Sequence, residues 1–125
     1  RNLVNTSTKV RLLKKLNRLD DMNKVISDAK DIHATADEAN GFSAFLLQNG
    51  FYEQALDYCN QFLKNNEKVW FLELNRGISH YFIGNSKMAL KDVKNSLKTA
   101  PEQFQSRLNE IIVEIENKTY KLPGS

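Results

Sequence analysis

The chain repeats itself at a period of 34 residues, and that repetition restricts the fold more than any other feature. The stretch Trp70–Pro101 reads as a helix, a Gly84-Asn85-Ser86 break and a second helix stopped near Pro101. Moved back by 34 positions, it places Gly84 on Gly50, Ala89 on Ala55, Leu90 on Leu56, Leu97 on Leu63 and Lys98 on Lys64. Moved forward by the same step, Leu74, Asn75 and Ile78 fall on Leu108, Asn109 and Ile112. A helix-turn-helix unit at this period cannot bury its apolar face alone, so copies stack and share one core.

The helical periodicity fills in the units. Residues 1–8 are polar and expected to fray. From Lys9 to Leu19, a spacing of 100° per residue puts Leu12, Leu13, Leu16 and Leu19 on one face. Arg11, Lys14, Lys15 and Arg18 cluster on the other. Asp20 or Asp21 can cap a helix whose stripe is Met22, Val25, Ile26, Ala29 and Ile32. No Gly or Pro separates these two segments, so one long helix stays open as an alternative.

Thr35 and Glu38 spell a capping box, which predicts a helix from Ala36 carrying Ala39, Phe42, Phe45 and Leu46 inward and ending at Asn49-Gly50. A helix over 52–64 follows, with Ala55, Leu56, Cys59, Phe62 and Leu63 on its inner face. Asn65-Asn66 ends it and can cap the next. The helix expected over 67–83 is apolar nearly all round and should be the centre of the domain. The next one, 86–98, packs through Met88, Ala89, Leu90, Val93 and Leu97. Thr99, Pro101 and Glu102 signal a last helix with Phe104, Leu108, Ile111, Ile112 and Ile115 on one side. Its other side, with Arg107, Glu110, Glu114 and Asn117, is polar, as an array's final helix requires. Residues 118–125 are expected to be a tail, with Leu122-Pro123-Gly124-Ser125 foreign to the fold.

The small residue Gly77, the aromatic Tyr81 (or His80), Ala89 and Pro101 follow the spacing of the tetratricopeptide repeat (TPR) family, which this stretch resembles. Twelve residues separate Gly77 from Ala89 and 24 separate it from Pro101. In the unit before it, Ala55 and Gly50 are kept, while Ser43, Leu46 and Glu67 replace the small residue, the aromatic and the closing Pro. The resemblance covers roughly 36–115. It implies an all-α, right-handed α-α superhelix, a TPR-like solenoid of antiparallel helix pairs. The divisions expected are an N-terminal helical segment over 1–34 (a degenerate repeat or cap), repeats with a capping helix over 35–117, and the tail.

The resemblance also implies a non-catalytic scaffold that holds a peptide or helix of a partner protein in its groove. The alternative is a structural or regulatory segment of a larger protein acting through intramolecular contacts or self-association. Carried over residue by residue, the groove holds Asn40, Ala44 and Gln48, then Phe71, Asn75, Ile78 and Phe82, then Gln105 and Asn109. Asn amides there can pair with a peptide backbone, and Phe71 and Phe82 can receive apolar side chains.

Other chemistry has little to stand on. His33, His80 and Cys59 are the only residues of their kinds, Cys59 lies on an apolar stripe, and HExxH, CxxC and phosphate-loop motifs are absent. No enzyme, metal or cofactor is therefore expected. The acidic pairs Asp20-Asp21 and Asp37-Glu38 stand at helix starts, where they oppose the dipole. The net charge of +3 does not call for nucleic acid. The basic cluster Arg11, Lys14, Lys15, Arg18 is either a solvated face or a dock for an anionic partner.

A single cysteine excludes an intrachain disulfide and suits a reducing compartment. No apolar run spans a bilayer. Asn5-Thr6-Ser7 and Asn117-Lys118-Thr119 match the glycosylation triplet by chance in an Asn-rich chain. The chain starts at Arg1 without Met or a signal-peptide pattern, so it is expected to be part of something longer.

The chaperone-binding members of the family clamp a carboxylate with a Lys and an Asn one turn apart. Asn40 and Ala44 stand at those positions here. A peptide with an acidic chaperone-type tail is therefore expected not to bind; saturable binding that amidation of its terminus abolishes would overturn this.

Overall fold

The computed structural model describes residues 2–66 and 68–125. Among them are seven α-helices and no strand: α1 Leu3–Lys15, α2 Leu19–Asp28, α3 Ala36–Gln48, α4 Tyr52–Asn65, α5 Trp70–Ile83, α6 Ser86–Thr99 and α7 Glu102–Glu116. A 3-10 turn at Ala29–Asp31 extends α2. The protein is all-α.

The ends of these helices are the most regular feature. At Gly50 (φ 80°) the chain turns left-handed, the Gly50 N–H donates to Leu47 O, and the Phe51 N–H donates to Leu46 O. Gly84 (φ 98°) does the same one period later, with Gly84 bonded to Tyr81 and Asn85 to His80. Asn17 and Lys118, both at φ 58°, complete the series: Asn17 to Lys14 and Arg18 to Leu13, then Lys118 to Ile115 and Thr119 to Glu114. This double bond pattern satisfies the last carbonyls of a helix while reversing the chain. The four turns stand 33, 34 and 34 residues apart. The second and third use glycine; the first and last do not, and for that reason alone they escape a search for repeated glycines.

Asn17 settles the first open point: residues 3–28 form two helices, not one. Three N-terminal expectations need correction. The first turns of α1 are helical rather than frayed, with Asn2 accepting from the Asn5 N–H at 2.8 Å and Leu3 and Thr6 buried. The buried stripe is therefore Leu3, Thr6, Val10 and Leu13, whereas Leu12, Leu16 and Leu19 are about half exposed. The expected stripe left out the first two turns of α1 and ran past its end at Lys15, joining Leu16 and Leu19 to a helix they do not belong to. Finally, Asp20 and Asp21 lie in the first turn of α2, and its N-cap is Arg18, which pairs with Asp21 at 2.6 Å.

Elsewhere the local chemistry acts as the residues dictate. The Thr35–Glu38 capping box forms in both directions, at 3.1 and 2.9 Å. Asn85 caps α6 by accepting from Met88. Asn66 does not cap α5; its amide donates to Phe62 O, and Val69 is the N-cap of α5. Of the helix expected over 67–83, Glu67 lies outside the described residues and helical structure begins at Trp70. Thr99 closes α6 and Pro101 caps α7, so the anticipated Thr-x-x-Glu box is not made.

Helices α1, α3 and α5 each pack against the helix that follows, α7 packs against α6, and α1, α3 and α5 also meet in succession. Centrally placed as its composition implies, α5 touches α3, α4 and α6, and its Trp70 ring lies 4.8 Å from Phe104 of α7. One apolar core runs from Leu3 to Tyr120. The tightest approach is at Gly77, where a Cβ would sit 3.0 Å from Asp92 Cβ and 3.1 Å from the Ala89 carbonyl oxygen of α6. The backbone carbonyl cannot swing aside, so only glycine lets α5 and α6 close to this distance. Around Gly41, in the exposed middle of α3, a Cβ would meet nothing.

The two glycines should therefore respond oppositely to the same substitution. Gly77→Ala is expected to lower stability by about 1–3 kcal/mol through overpacking, and Gly41→Ala to raise it by about 0.5–1 kcal/mol through helix propensity. Urea denaturation of the two variants against wild type checks both signs.

Candidate binding groove

The faces of α3, α5 and α7 form a half-open cavity of about 260 Å3, to which Tyr120, Leu122 and Pro123 of the segment after α7 also contribute. From α3 come Ala44, Leu47 and Gln48; from α5 Leu74, Asn75 and Ile78; from α7 Arg107 and Ile111. Ala44 and Ile78 are one period apart, which is why the same side of each helix supplies them. The lining is largely apolar, with a few polar groups at its edge, the usual make-up of a site that buries a ligand.

The residues carried over from sequence divide into three groups. Ala44, Gln48, Asn75 and Ile78 come together in the wall. Asn40 and Phe82 adjoin it, the first through a hydrogen bond to Asn75 and the second through ring contact with Tyr120 at 6.0 Å. Phe71, Gln105 and Asn109 are not part of it. Phe71 packs edge-on against Trp70, 5.5 Å away, and Gln105 donates its amide to Ala100 O. The carry-over gave α7 the same rotation about its axis as α5. Instead Leu108, Ile111 and Ile115 form its buried stripe, and Arg107 and Ile111 reach the cavity.

Asn75 has a different role from the one its position suggested. Its Nδ2 donates to Asn40 Oδ1 at 2.8 Å and to Ser43 Oγ at 2.9 Å, and the side chain is buried. Both amide hydrogens are spent on α3, so this residue fixes α5 against α3 rather than offering donors to a peptide.

The segment after α7 was expected to lie outside the fold; it folds back onto the groove. The left-handed turn at Lys118 directs Tyr120 between rings, edge-on to Tyr81 at 5.8 Å and tilted on Phe82. Phe82 in turn stacks on Tyr52 of α4 at 4.7 Å. Tyr120 is 5% exposed, and burial raises its phenol above the ordinary value despite Arg107 nearby. Leu122 and Pro123 continue along the cavity rim. The one sequence signal was an aromatic and a leucine spaced two apart in an otherwise polar stretch.

The basic cluster of α1 and the α1–α2 turn does not present four free cations. Arg11 lies over the Phe45 ring at 4.8 Å, Lys14 over Phe51 at 5.3 Å, and Arg18 is paired with Asp21. Lys15 is exposed. Long aliphatic stems allow Arg11 and Lys14 to cover aromatic surface on the side facing α3.

A second polar arrangement went unread in the sequence. Asp92 of α6, 1% exposed, receives two bonds from Arg76 of α5, Nε to Oδ2 at 2.9 Å and Nη2 to Oδ1 at 2.8 Å. His80 approaches the same carboxylate at 4.0 Å, and burial lowers its pKa although Asp92 opposes the shift. Ser96 donates to Trp70 O at 2.8 Å, adding a second tie between α5 and α6. Asp92 and Ser96 fall on the inner face of α6, where charge spacing alone reads as solvent-facing.

Cys59 is fully buried, and burial pushes its thiol up to about 12. At that value thiolate is scarce at neutral pH. Among the described residues no group of three or more His, Cys, Asp or Glu side chains is placed to hold a metal ion. No described helix is long and apolar enough to cross a membrane. The sequence matches no protein-family model, and no significantly similar curated protein was found.

Removing one partner of a buried, forked ion pair leaves the other charge uncompensated. Asp92→Ala is expected to cost about 3 kcal/mol, the lower end for such pairs because Arg76 keeps some contact with water. A chemical-denaturation midpoint within error of wild type would show that the pair contributes nothing.

Proposed function

We propose that this chain is a TPR-like right-handed solenoid of helical hairpins, and that it is a non-catalytic module binding an extended peptide of a partner protein. The supporting architecture is the set of left-handed turns at Asn17, Gly50, Gly84 and Lys118, spaced by one repeat. On this reading α1–α2 is a full unit whose turn residue is Asn17 in place of glycine.

The observation that carries the function is the cavity where α3, α5 and α7 meet. A row of first helices, each contributing an equivalent position such as Ala44 and Ile78, makes an elongated apolar trough. Side chains of an extended peptide can enter it at intervals while the peptide backbone stays near water. Gln48 and Arg107 at the edge supply donors for its carbonyls.

A second reading has its own support in the returning segment: a regulatory domain completed by intramolecular contacts, with Tyr120 as the contact. The two readings differ in whether the trough accepts anything from outside.

Peptides selected from a random displayed library against the wild-type chain test this directly. Saturable binders are expected, and Ala44→Trp, which fills the cavity from a half-buried position, should weaken them at least about tenfold, or about 1.4 kcal/mol, with unchanged circular dichroism. If no binders emerge, or if Ala44→Trp leaves their affinity intact, the trough is not the binding surface.

A further inference from the structure

We infer that residues 118–123 are a resident, displaceable occupant of the groove, and that the external partner is a peptide of the same chemistry: an aromatic residue, then an aliphatic residue two positions on, followed by proline. This rests on the binding reading given above and names both the ligand class and its control.

Three observations point to an occupant rather than to a structural element. The first is how the segment is held. Thr119 closes the turn on Glu114, and Ser125 bonds within the segment to Leu122. Among the described residues the backbone of 120–124 makes no hydrogen bond to α3 or α5. Attachment is through side chains, with Tyr120 seated between Tyr81 and Phe82 and with Leu122 and Pro123 at the cavity rim. Tyr120 is the end of the apolar core, and with no backbone tie to α3 or α5 the segment is expected to open before the helices beneath it.

The second is its route. Each earlier left-handed turn leads into a helix that pairs with the one before: Asn17 into α2, Gly50 into α4 and Gly84 into α6. Lys118 makes the same turn, yet residues 119–125 are not helical, and Tyr120, Leu122 and Pro123 line the cavity beside α3, α5 and α7. The segment lies where a partner peptide would lie.

The third is the spacing. Tyr120 and Leu122 alternate with the exposed Thr119 and Lys121, so an extended backbone sends every second side chain into the protein. The aromatic fills the ring pocket, and the leucine and proline cover the apolar rim. A partner with this pattern satisfies the same surfaces once the segment swings out. Because the segment is tethered, it competes at high effective concentration, so the groove admits only ligands that outbid it.

The test uses the full chain and, as probe, a labelled free peptide with the sequence of residues 118–125. Full-length Tyr120→Ala, whose own segment has lost its anchor, should bind the free peptide at least about tenfold more tightly than wild type in fluorescence anisotropy. A peptide with alanine at the positions of Tyr120 and Leu122 should not bind either chain. Adding Ala44→Trp to Tyr120→Ala should abolish the gain. Equal binding to wild type and Tyr120→Ala, or none to either, overturns the inference. If library-selected peptides bind but are indifferent to Tyr120→Ala, the groove is real and the resident-occupant idea is wrong.

Tyr120→Ala could also compromise folding, so hydrogen exchange on wild type provides an independent arm. Amides of 120–122 should exchange far faster than those in the middle of α5. Protection equal to that of α5, or loss of the cooperative unfolding transition in Tyr120→Ala, would make the segment part of the core and overturn the inference.

Discussion

Everything in this fold depends on how its helices end. A helix leaves its last carbonyls without partners, and here one solution is used four times: a left-handed residue whose own N–H and that of its successor bond back into the final turn. Since the residue is αL each time, each reversal sends the chain off in a similar direction. Asn17, Gly50, Gly84 and Lys118 therefore set the period of the molecule before any core contact is considered. Side chains then decide how closely the reversed helices approach, and at Gly77 and Ala89 they approach until backbone meets Cβ.

Close approach alone does not fix register, because smooth apolar faces slide. The polar ties supply that. Arg76 grips Asp92 with two bonds, Ser96 holds the Trp70 carbonyl, and Asn75 spans to Asn40 and Ser43. These groups are costly to bury and costlier to leave unpaired, so helix offsets that break them are disfavoured. They join α3 to α5 and α5 to α6, so the central helix carries the alignment of both flanks. The groove inherits its shape from this, since its walls are the sides of α3 and α5 that the ties leave facing outward.

The legible parts of the sequence were those in which a residue type has one dominant local use. Thr35 with Glu38, Gly50, Gly84 and the small Gly77 each announced a cap, a turn or a crossing, and helices α3 to α7 follow from them. Less legible were positions where tertiary context overrode local preference. Asn17 and Lys118 take up a left-handed conformation that nothing nearby demands, hiding two of the four turns. The leucines from 12 to 19 look like a core stripe, yet α1 ends at Lys15, so Leu16 and Leu19 lie beyond it, and its buried face is the one that carries Leu3, Thr6, Val10 and Leu13. Of the residues carried over to the groove, Ala44, Gln48, Asn75 and Ile78 line one cavity, while α7 turns Arg107 and Ile111 towards it in place of Gln105 and Asn109. Tyr120 was missed altogether, for a lone aromatic in a polar segment has no periodicity to betray it.

The use of lysine rather than glycine at position 118 has a mechanical consequence. An L-residue held at φ 58° carries roughly 1 kcal/mol of strain that glycine would not. Glycine at 118 would relieve that strain, so the joint from which the groove-lining segment departs is held left-handed by the contacts made on either side of it, not by its own residue type.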